Sequence, residues 1–482
     1  MNTIQMIDGY KLDHRRQYPK DTRFVQSNWT PRESRVLNVF DVTHVGLQYF
    51  LTKYMMGDMH ETFFGVPKAK AVADYKRRVD AYLGPNDIGT EHIEALHDLG
   101  YMPLSFRAIP EGMSVPLRVP MIVVENTHPD FFWLVNYIET MMSNILWMPC
   151  TSATNAGRIR RMMDAFAKET GAPDWFVDYQ AHDFSMRGMA GMESAALSGM
   201  GHLVHFNGTD TLPAIELIEQ YYGDTVGASV AATEHSVMSA GGPLSERETF
   251  EHILHLYPSG IVSVVSDTWD LWNVITNILP AIKDQVMARD GKLVIRPDSG
   301  DPADIICGSC SAEPGSPASK GVVQLLWEVF GGTENAAGYK ELDPHIGCIY
   351  GDGINFDRAQ NILGRLMFKG FSSGNIVFGI GSYTYQYVTR DTFGFAMKAT
   401  WAQIGDAPVD LFKTPKTDNG VKNSAKGRVA VKRNAEGRLY LVDHATPADE
   451  AECELVKVWQ DGLFRKVYSF AEVRANARQM EV

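Results

Sequence analysis

Short apolar runs alternate with longer segments of helical length through the middle of the chain. Each run is continuous and rich in β-branched or aromatic residues, which is typical of a strand buried on both faces of a parallel sheet. The pattern predicts seven such strands, at residues 175–179, 202–206, 229–232, 261–265, 292–295, 346–350 and 375–378. The intervening segments, such as 211–222, 244–256 and 268–287, are long enough for crossover helices.

Seven strand–helix units favour an α/β fold in which the central domain is a seven-unit β/α barrel. A doubly wound open sheet is the alternative, because the same pattern arises whether or not the sheet closes. The flanks instead mix helical patterns, as at 68–82, with short strand patterns, as at 438–442. We therefore assign residues 151–382 to the barrel-like domain, and residues 1–150 and 383–482 to one α+β domain formed by both ends of the chain.

Residues suited to chemistry come directly after the predicted strands. The carboxyl ends of parallel strands converge on one mouth of a barrel, where barrel enzymes place their active sites. The candidates at these positions are Phe184, Arg187, Asp210, His235, Asp267, Arg296, Asp298, Gly351, Asp352, Gly381 and Ser382. Their recurrence at successive strand ends predicts one shared site.

Two of these strand ends combine aspartate with glycine, in the motifs Arg296-Pro-Asp-Ser-Gly300 and Gly351-Asp-Gly353. A carboxylate can accept hydrogen bonds from the two vicinal hydroxyls of a ribose, and glycines let backbone N–H groups approach a phosphate. Either motif alone favours a tight turn, but both at strand ends of one barrel favour a ligand site. Gly379-Ile-Gly381-Ser382 suits the phosphate site that barrels often place after a late strand.

His235 lies among small residues at a strand end, which leaves its imidazole accessible. A lone histidine is usually structural, but its near-neutral pKa suits proton or phosphoryl transfer. Asp267, at another strand end, is a carboxylate that could fix the tautomer of the ring.

Asp210 and its neighbours in the pattern indicate how a ligand could be selected. An ionised carboxylate only accepts hydrogen bonds, so it favours an amide NH₂ and repels a ligand carboxylate. Phe184 could stack on a flat heteroaromatic ring and Arg187 could bind an anion, although core packing is the ordinary role of a phenylalanine. Five basic residues lie further along the chain: Arg390, Lys398, Lys413, Lys422 and Lys426. The ordinary explanation for such residues is a solvent-exposed face, and the alternative is that they bind phosphate.

Composition narrows the function classes. The 482 residues are 45% hydrophobic and 21% charged, which excludes a disordered chain. The net charge of −13 disfavours binding to nucleic acid, because such binding depends on basic residues that displace counterions. Five cysteines, no signal-peptide pattern and no apolar run of about 18 residues predict a cytoplasmic protein with no membrane partner.

The Gly/Ser/Pro-rich segment 307–320 is predicted to be a flexible surface loop. It contains the pair Cys307-x-x-Cys310, but neither a second such pair nor nearby histidines accompany it, so metal or redox use is disfavoured.

These motifs, in this order, resemble the nicotinamide phosphoribosyltransferase family, which belongs to the type II phosphoribosyltransferases. The resemblance spans nearly the whole chain. It is carried by the motifs Asp8-Gly-Tyr10, His182-Asp-Phe-Ser-Met-Arg187, Asn207-Gly-Thr-Asp210, Glu234-His235-Ser236, Arg296-Pro-Asp-Ser-Gly300, Gly351-Asp-Gly353, Thr389-Arg390-Asp391 and Lys426-Gly-Arg428.

The resemblance implies an enzyme that makes nicotinamide mononucleotide and pyrophosphate from nicotinamide and phosphoribosyl pyrophosphate in NAD salvage. It further implies a homodimer with shared sites, ATP as co-substrate and Mg²⁺ carried on the pyrophosphate, with no protein ligand assigned to the metal. His235 would be phosphorylated by ATP, and Asp267 and Asp298 would complete the catalytic group.

The same resemblance implies roles for the binding residues. Nicotinamide would lie between Phe184 and the second subunit's Tyr10, with Asp210 accepting from its carboxamide. The remaining residues would hold the ribose, pyrophosphate and 5′-phosphate, and they are Arg187, Arg296, Asp298, Gly351, Asp352, Gly381, Ser382, Arg390 and, from across the dimer interface, Lys398.

The chain departs from the family pattern at two places. Gly379-Ile-Gly381-Ser382-Tyr383 replaces a run of glycines after the seventh strand, and Tyr383 is expected to narrow that loop. Segment 307–320 resembles an insertion and carries no motif residue, so we expect it to be dispensable.

Other functions stay open at this stage. A nicotinate phosphoribosyltransferase is the nearest alternative, and Asp210 argues against it. A barrel glycosidase would use paired carboxylates among Asp267, Asp298 and Asp352, leaving Arg296 without a role. A sugar-phosphate or nucleotide-binding module would bind the same ligands without turnover.

Overall fold

The computed structural model describes residues 2–413 and 425–479, so the predicted cation Lys422 lies outside the described residues. The chain divides into two compact units. One comprises residues 1–154, 217–224 and 388–482, and the other comprises residues 155–216 and 225–387. Among the residues described, no helix is both long enough and apolar enough to cross a membrane.

The second unit is built on a parallel sheet of seven strands. In chain order, β1 to β7 are Ala181–Asp183, Gly208–Thr209, Ala231–Ala232, Ser259–Val265, Asp290–Arg296, Ile346–Ile354 and Val377–Ile380. The strands are hydrogen-bonded in the order β2-β1-β7-β6-β5-β4-β3. Each adjacent pair is parallel, as crossover connections require.

Edge strand β2 contacts the segment that precedes the other edge strand, β3. Gly208 in β2 forms an isolated parallel bridge with Ala228, three residues before β3 begins. The Thr209 N–H donates to the Ala228 carbonyl at 3.0 Å, and the Ala228 N–H donates to the Asn207 carbonyl at 2.7 Å. These bonds join the ends of the sheet, which favours the barrel over the open sheet. The predicted α/β barrel-like fold is confirmed.

The helices of this unit alternate with the strands and cover the sheet. The main ones are Met192–Leu203, Glu246–Leu256, Pro302–Cys307, Val322–Phe330 and Phe356–Phe368, with a chain of short helical turns from Leu271–Asn273 to Lys283–Met287. The helix Leu212–Tyr222 begins in this unit, and its residues from Leu217 onward belong to the first unit. The apolar faces of the helices from Glu246–Leu256 to Phe356–Phe368 form one core with the strands, which includes Phe206, Phe250, Val264, Ile295 and Phe378.

Two of the seven predicted strands are wrong. Residues 175–179 overlap the short helix Asp174–Val177, and Trp175 is exposed, so this apolar run is not buried on two faces. Residues 202–206 begin inside the helix Met192–Leu203, whose last nine residues are all buried. A helix that is buried on every side gives the same continuous apolar run as a buried strand, because periodicity is lost in both.

The last predicted strand is displaced by two residues. We predicted 375–378, whereas β7 is Val377–Ile380. The Asn375 side chain donates to the carbonyls of Lys340 and Ser372 and accepts from the Leu342 N–H. These bonds hold Asn375 in a turn, so the strand begins only after it.

Segment 307–320 is more ordered than a flexible loop. Cys307 is buried at the end of the helix Pro302–Cys307, and Pro317–Lys320 forms a helical turn. Lys369 Nζ donates to the carbonyls of Cys307 and Lys320 at 2.8 Å each, which holds both ends of the segment together. The prediction of a loop without structure is therefore wrong at both ends.

The first unit contains an antiparallel sheet. In spatial order its strands are Ala407–Asp410, Ala396–Ile404, Thr22–Thr30, Ile122–Asn126, Leu104–Ala108, Val456–Gln460 and Leu463–Phe464. Its helices include Leu47–Phe50, Lys68–Leu83, Glu91–Leu99 and Phe470–Gln479, and the long helix Glu139–Thr170 begins in this unit.

A buried carboxylate organises one part of this first unit. Glu111 accepts hydrogen bonds from the N–H groups of Gly46 and Gln48 and from the Tyr222 hydroxyl, each at 2.7 Å. Complete burial raises the pKa of Glu111, and these three donors oppose the rise.

Candidate functional site

The barrel strands bring the predicted residues to one end of the sheet. Each of these residues lies close to the carboxyl end of its strand. Phe184 and Arg187 follow β1, Asp210 follows β2, His235 follows β3, Asp267 follows β4, Arg296 ends β5 and Asp298 follows it, Gly351 and Asp352 are among the last four residues of β6, and Gly381 and Ser382 follow β7. Because all seven strands are parallel, these ends share one mouth.

His235 lies between a hydroxyl and two carboxylates. Its Nδ1 is 3.1 Å from Thr268 Oγ1, within hydrogen-bond distance. Its Nε2 is 3.9 Å from Asp267 Oδ1 and 3.8 Å from Asp298 Oδ2. The imidazole is half exposed, so a ligand can reach it. We expected Asp267 to fix the tautomer, but the hydrogen-bond partner of the ring is Thr268.

Asp267 is the buried member of the carboxylate pair. Its side chain is 5% exposed, and its Oδ2 accepts from the Asp298 N–H at 2.9 Å and from Ser299 Oγ at 2.5 Å. Its Oδ1 is buried with no hydrogen-bond partner among the described residues. A buried carboxylate oxygen without a hydrogen bond is costly unless a ligand or cation satisfies it. His235 Nε2, at 3.9 Å, is too far away to donate a hydrogen bond to this oxygen, so the atom is suited to contact a cation or a ligand hydroxyl.

Arg296 is the last residue of β5 and lies two residues before Asp298 in the sequence. Its Nη2 donates to the Thr233 carbonyl at 2.8 Å, which fixes the guanidinium beside the end of β3. Its Nε is buried without a partner among the described residues. One oriented guanidinium with an unused donor is suited to a phosphate or pyrophosphate oxygen.

Tyr350, on β6, connects its strand to the turn that carries Asp298. Its hydroxyl donates to the Gly300 carbonyl at 3.0 Å and so ties the end of β6 to the turn after β5. Burial first, and then the carboxylates of Asp352 and Asp298, raise the pKa of Tyr350, which keeps the phenol protonated as a donor.

The Phe184 ring lies against two glycines. A Cβ built on Gly379 would overlap the ring, and one built on Gly351 would fall 3.7 Å from it. The Phe184 N–H donates to the Ile380 carbonyl at 2.9 Å, which holds the residue beside the end of β7. Phe184 is only partly buried, which is compatible with stacking on a flat ligand ring.

Asp210 is exposed at the end of β2, next to the strand that leads to Phe184. Its N–H donates to the Asp183 carbonyl at 3.0 Å, and its Oδ1 accepts from Ser229 Oγ at 2.5 Å. Burial lowers the pKa of the nearby His182 although the charge of Asp210 opposes this, so His182 is neutral at physiological pH.

The loop after β7 approaches the loop after β1. A Cβ on Gly188 would overlap Ser382 Oγ, so only glycine fits beside this serine. Arg187, the preceding residue, is exposed. Tyr383 packs its ring on Tyr387, with centroids 4.6 Å apart.

Three predicted site residues belong to the first unit. Tyr10 is exposed over 63% of its surface and packs edge-on against His14. Arg390 pairs with its neighbour Asp391 at 2.8 Å. Lys398 lies on the strand Ala396–Ile404, and burial lowers its pKa. Their assigned roles remain predictions.

Sequence reasoning missed several polar partners in the barrel unit. These are Ser229 beside Asp210, Thr233 beside Arg296, Thr268 beside His235 and Ser299 beside Asp267. Thr268 and Ser299 directly follow predicted aspartates, so a neighbour search could have found them. Ser229 has no such signal, because it lies 19 residues from Asp210.

Comparisons with known proteins agree on one family. Residues 179–456 match the nicotinate phosphoribosyltransferase (NAPRTase) family, and residues 2–92 match the nicotinamide phosphoribosyltransferase N-terminal domain. The nicotinamide phosphoribosyltransferase of Acinetobacter baylyi is 49% identical, over 100% of this chain and 98% of its own. The chain belongs to the nicotinamide phosphoribosyltransferase family. The nicotinamide phosphoribosyltransferase of Mycoplasma pneumoniae is 36% identical over 87% of this chain and 94% of its own.

Solved structures support the fold. A nicotinate-nucleotide pyrophosphorylase from Pyrococcus furiosus superposes with a TM-score of 0.59, covering 99% of this chain and 95% of its own at 14% identity. Human nicotinic acid phosphoribosyltransferase gives a TM-score of 0.53, covering 98% and 93% of the two chains at 16% identity. At these identities the likeness concerns the fold alone.

Proposed function

We propose that this member of the family transfers the phosphoribosyl group of phosphoribosyl pyrophosphate to nicotinamide, giving nicotinamide mononucleotide and pyrophosphate in NAD salvage. The chain is thus a pentosyltransferase. The observation that carries the choice of nicotinamide is Asp210, whose carboxylate is exposed at the mouth beside the Phe184 loop. It can accept from a carboxamide NH₂ and repels the carboxylate of nicotinate. The nicotinamide phosphoribosyltransferases that are 49% and 36% identical to this chain support this choice.

The reaction is a displacement at the anomeric carbon of the ribose. The pyridine nitrogen attacks with its lone pair, the bond to the pyrophosphate oxygen breaks, and positive charge develops on the sugar. The carboxylates of Asp298 and Asp352 stabilise that charge and accept from the ribose hydroxyls. Arg187 and Arg296 bind the departing pyrophosphate. No base is needed, because the nucleophile carries no proton on the attacking nitrogen.

Mg²⁺ belongs to this proposal as a companion of the pyrophosphate. Across residues 2–413 and 425–479, no group of three or more His, Cys, Asp or Glu is arranged to hold a metal ion. Mg²⁺ instead commonly binds through one or two carboxylates and substrate phosphates, and the unpartnered Asp267 Oδ1 fits such a role together with Asp298. When bound, the ion neutralises charge on the leaving group.

ATP enters the proposal through His235. Its imidazole is half exposed at the mouth, with Asp267 and Asp298 beside Nε2. A ring nitrogen attacks the γ-phosphorus, the bond to ADP breaks, and later hydrolysis of the phosphohistidine releases phosphate and restores the ring. The two carboxylates stabilise the positive ring that forms during transfer.

The proposed enzyme is a cytoplasmic homodimer in which Tyr10 and Lys398 serve the site of the other subunit. The exposure of Tyr10, which is 63% for the whole residue, supports this arrangement because its ring is available to stack on a partner's ligand.

A direct assay tests the proposal. Purified protein is supplied with Mg²⁺, phosphoribosyl pyrophosphate and either nicotinamide or nicotinate, with and without ATP, and both mononucleotides are quantified by mass spectrometry. We expect nicotinamide mononucleotide to predominate and ATP to increase it. Preferential formation of nicotinate mononucleotide would establish the nearest alternative, and ligand binding without pyrophosphate release would establish a binding module.

Gly379→Ala is expected to weaken nicotinamide binding through Phe184. The added methyl group would overlap the ring and fall 2.9 Å from Gly351 Cα, so the ring must move and backbone blocks part of its path. Loss of one stacking face should raise the KM for nicotinamide about three- to tenfold, as measured by initial rates. Gly364→Ala is the matched control, because nothing lies within 4 Å of its added Cβ. An unchanged KM in Gly379→Ala would contradict the role given to Phe184.

A further inference from the structure

Ser229 is the closest polar partner of the carboxylate that we propose to select nicotinamide. Its Oγ donates to Asp210 Oδ1 at 2.5 Å. Ser229 carries no motif of its own, and it lies before β3 in a segment from which sequence reasoning assigned no site residue. Its hydroxyl is therefore either an incidental surface contact or a device that sets the geometry of Asp210.

Backbone hydrogen bonds favour the second of these roles. Ala228, the residue before Ser229, exchanges hydrogen bonds with Asn207 and Thr209 at 2.7 and 3.0 Å. The Asp210 N–H in turn donates to the Asp183 carbonyl at 3.0 Å. The backbones of both partners are thus held in place, that of Ser229 by the closing contact of the barrel and that of Asp210 by its bond to β1, so little backbone entropy is lost in forming the side-chain bond.

The glycine before Ala228 makes this approach possible. Gly227 has φ of +101°, and a Cβ there would fall 2.9 Å from Ile215 and 3.0 Å from Thr209. A larger residue would move the segment away from β2, and Ser229 would move with it. The close approach of the two segments, and hence the contact, depends on this backbone conformation.

We propose that Ser229 is a positioning residue for nicotinamide selectivity, which it exerts by holding one oxygen of Asp210 so that the other faces the carboxamide. This proposal rests on the function proposed above. A serine hydroxyl has one proton. When that proton is donated to Asp210, it is not available to a nicotinate carboxylate, so the pair presents an acceptor surface that suits the amide and opposes the acid.

Ser229→Ala should therefore raise the KM for nicotinamide about tenfold. The kcat at saturation should stay within about twofold, because Ser229 orients Asp210 equally in the ground state and in the transition state, and loss of such binding affects KM alone. The KM for phosphoribosyl pyrophosphate should stay unchanged. Nicotinate should remain a poor substrate, since the charge of Asp210 is still present. Ser229→Thr, which keeps the hydroxyl, should restore the KM for nicotinamide.

The measurement is steady-state kinetics of both variants and wild type with each pyridine, alongside thermal unfolding. Ser311→Ala is the control, because Ser311 is exposed in segment 307–320 and bonds only to Ser309 among the described residues. An unchanged KM for nicotinamide in Ser229→Ala would overturn the proposal. The proposal would also be overturned if Ser229→Ala raised the KM values for nicotinamide and for phosphoribosyl pyrophosphate together and Ser229→Thr did not restore them. That result would indicate structural damage. Wild-type protein without nicotinamide activity would instead refute the proposed function.

Discussion

Replacing His235 with alanine is expected to abolish phosphorylation of the protein by ATP and all stimulation of mononucleotide synthesis by ATP, while slow basal transfer continues. The imidazole is the nucleophile proposed for the γ-phosphoryl group, and no other ring nitrogen among the described residues shares its position beside both Asp267 and Asp298. Basal transfer should persist because the displacement at the ribose uses the lone pair of nicotinamide and not the histidine.

Two measurements check this result. Labelling with γ-³²P-ATP followed by acid treatment detects the acid-labile phosphohistidine, and product formation with and without ATP gives the stimulation. His252→Ala is the matched control, because His252 is an exposed histidine on the helix Glu246–Leu256 and has no role in the proposal. A His235→Ala variant that is still labelled, or still stimulated by ATP, would refute the assignment.

Asp210→Asn is expected to reverse much of the preference between the two pyridine substrates. The amide loses the charge-assisted bond to the nicotinamide NH₂, which is worth about 1.5–3 kcal/mol, or roughly 10- to 100-fold in KM. It also presents an NH₂ donor to the nicotinate carboxylate and removes the repelling charge. We therefore expect the ratio of kcat/KM for nicotinamide to that for nicotinate to fall by roughly 100-fold or more.

Competition between the two substrates gives this ratio directly, because both mononucleotides can be measured in one reaction. Asp284→Asn is a suitable control, since Asp284 is an exposed aspartate on the helix Lys283–Met287. If Asp210→Asn retained the wild-type ratio, the carboxylate would not be the selecting group. Comparison with Ser229→Ala separates the two roles, because only Asp210→Asn should admit nicotinate.

Most strands of the barrel could be predicted because burial on both faces imposes continuous apolar runs. The predictions at 261–265, 292–295 and 346–350 fall within β4, β5 and β6. The predictions at 175–179 and 202–206 are wrong because an apolar run can equally be a buried strand, a buried helix end or an exposed turn, and local sequence does not distinguish these. Placement of those runs was decided by the packing around them.

The sequence by itself determined which residues stand at the carboxyl ends of the strands, because that depends only on the residues that come directly after each apolar run. Tertiary structure alone decided their partners. His235 and Thr268 are 33 residues apart, and Asp267 and Ser299 are 32 apart. Pairs at such separations meet only when strand order and register are set.

The bridge between Gly208 and Ala228 shows this dependence most clearly. It joins edge strand β2 to the segment just before edge strand β3, and so brings Ser229 to Asp210. No local pattern encodes it, because Gly208 and Ala228 are far apart in the sequence and meet only where the parallel sheet curves onto itself. Residue identity therefore supplied the chemistry of the mouth, and closure of the barrel supplied its geometry.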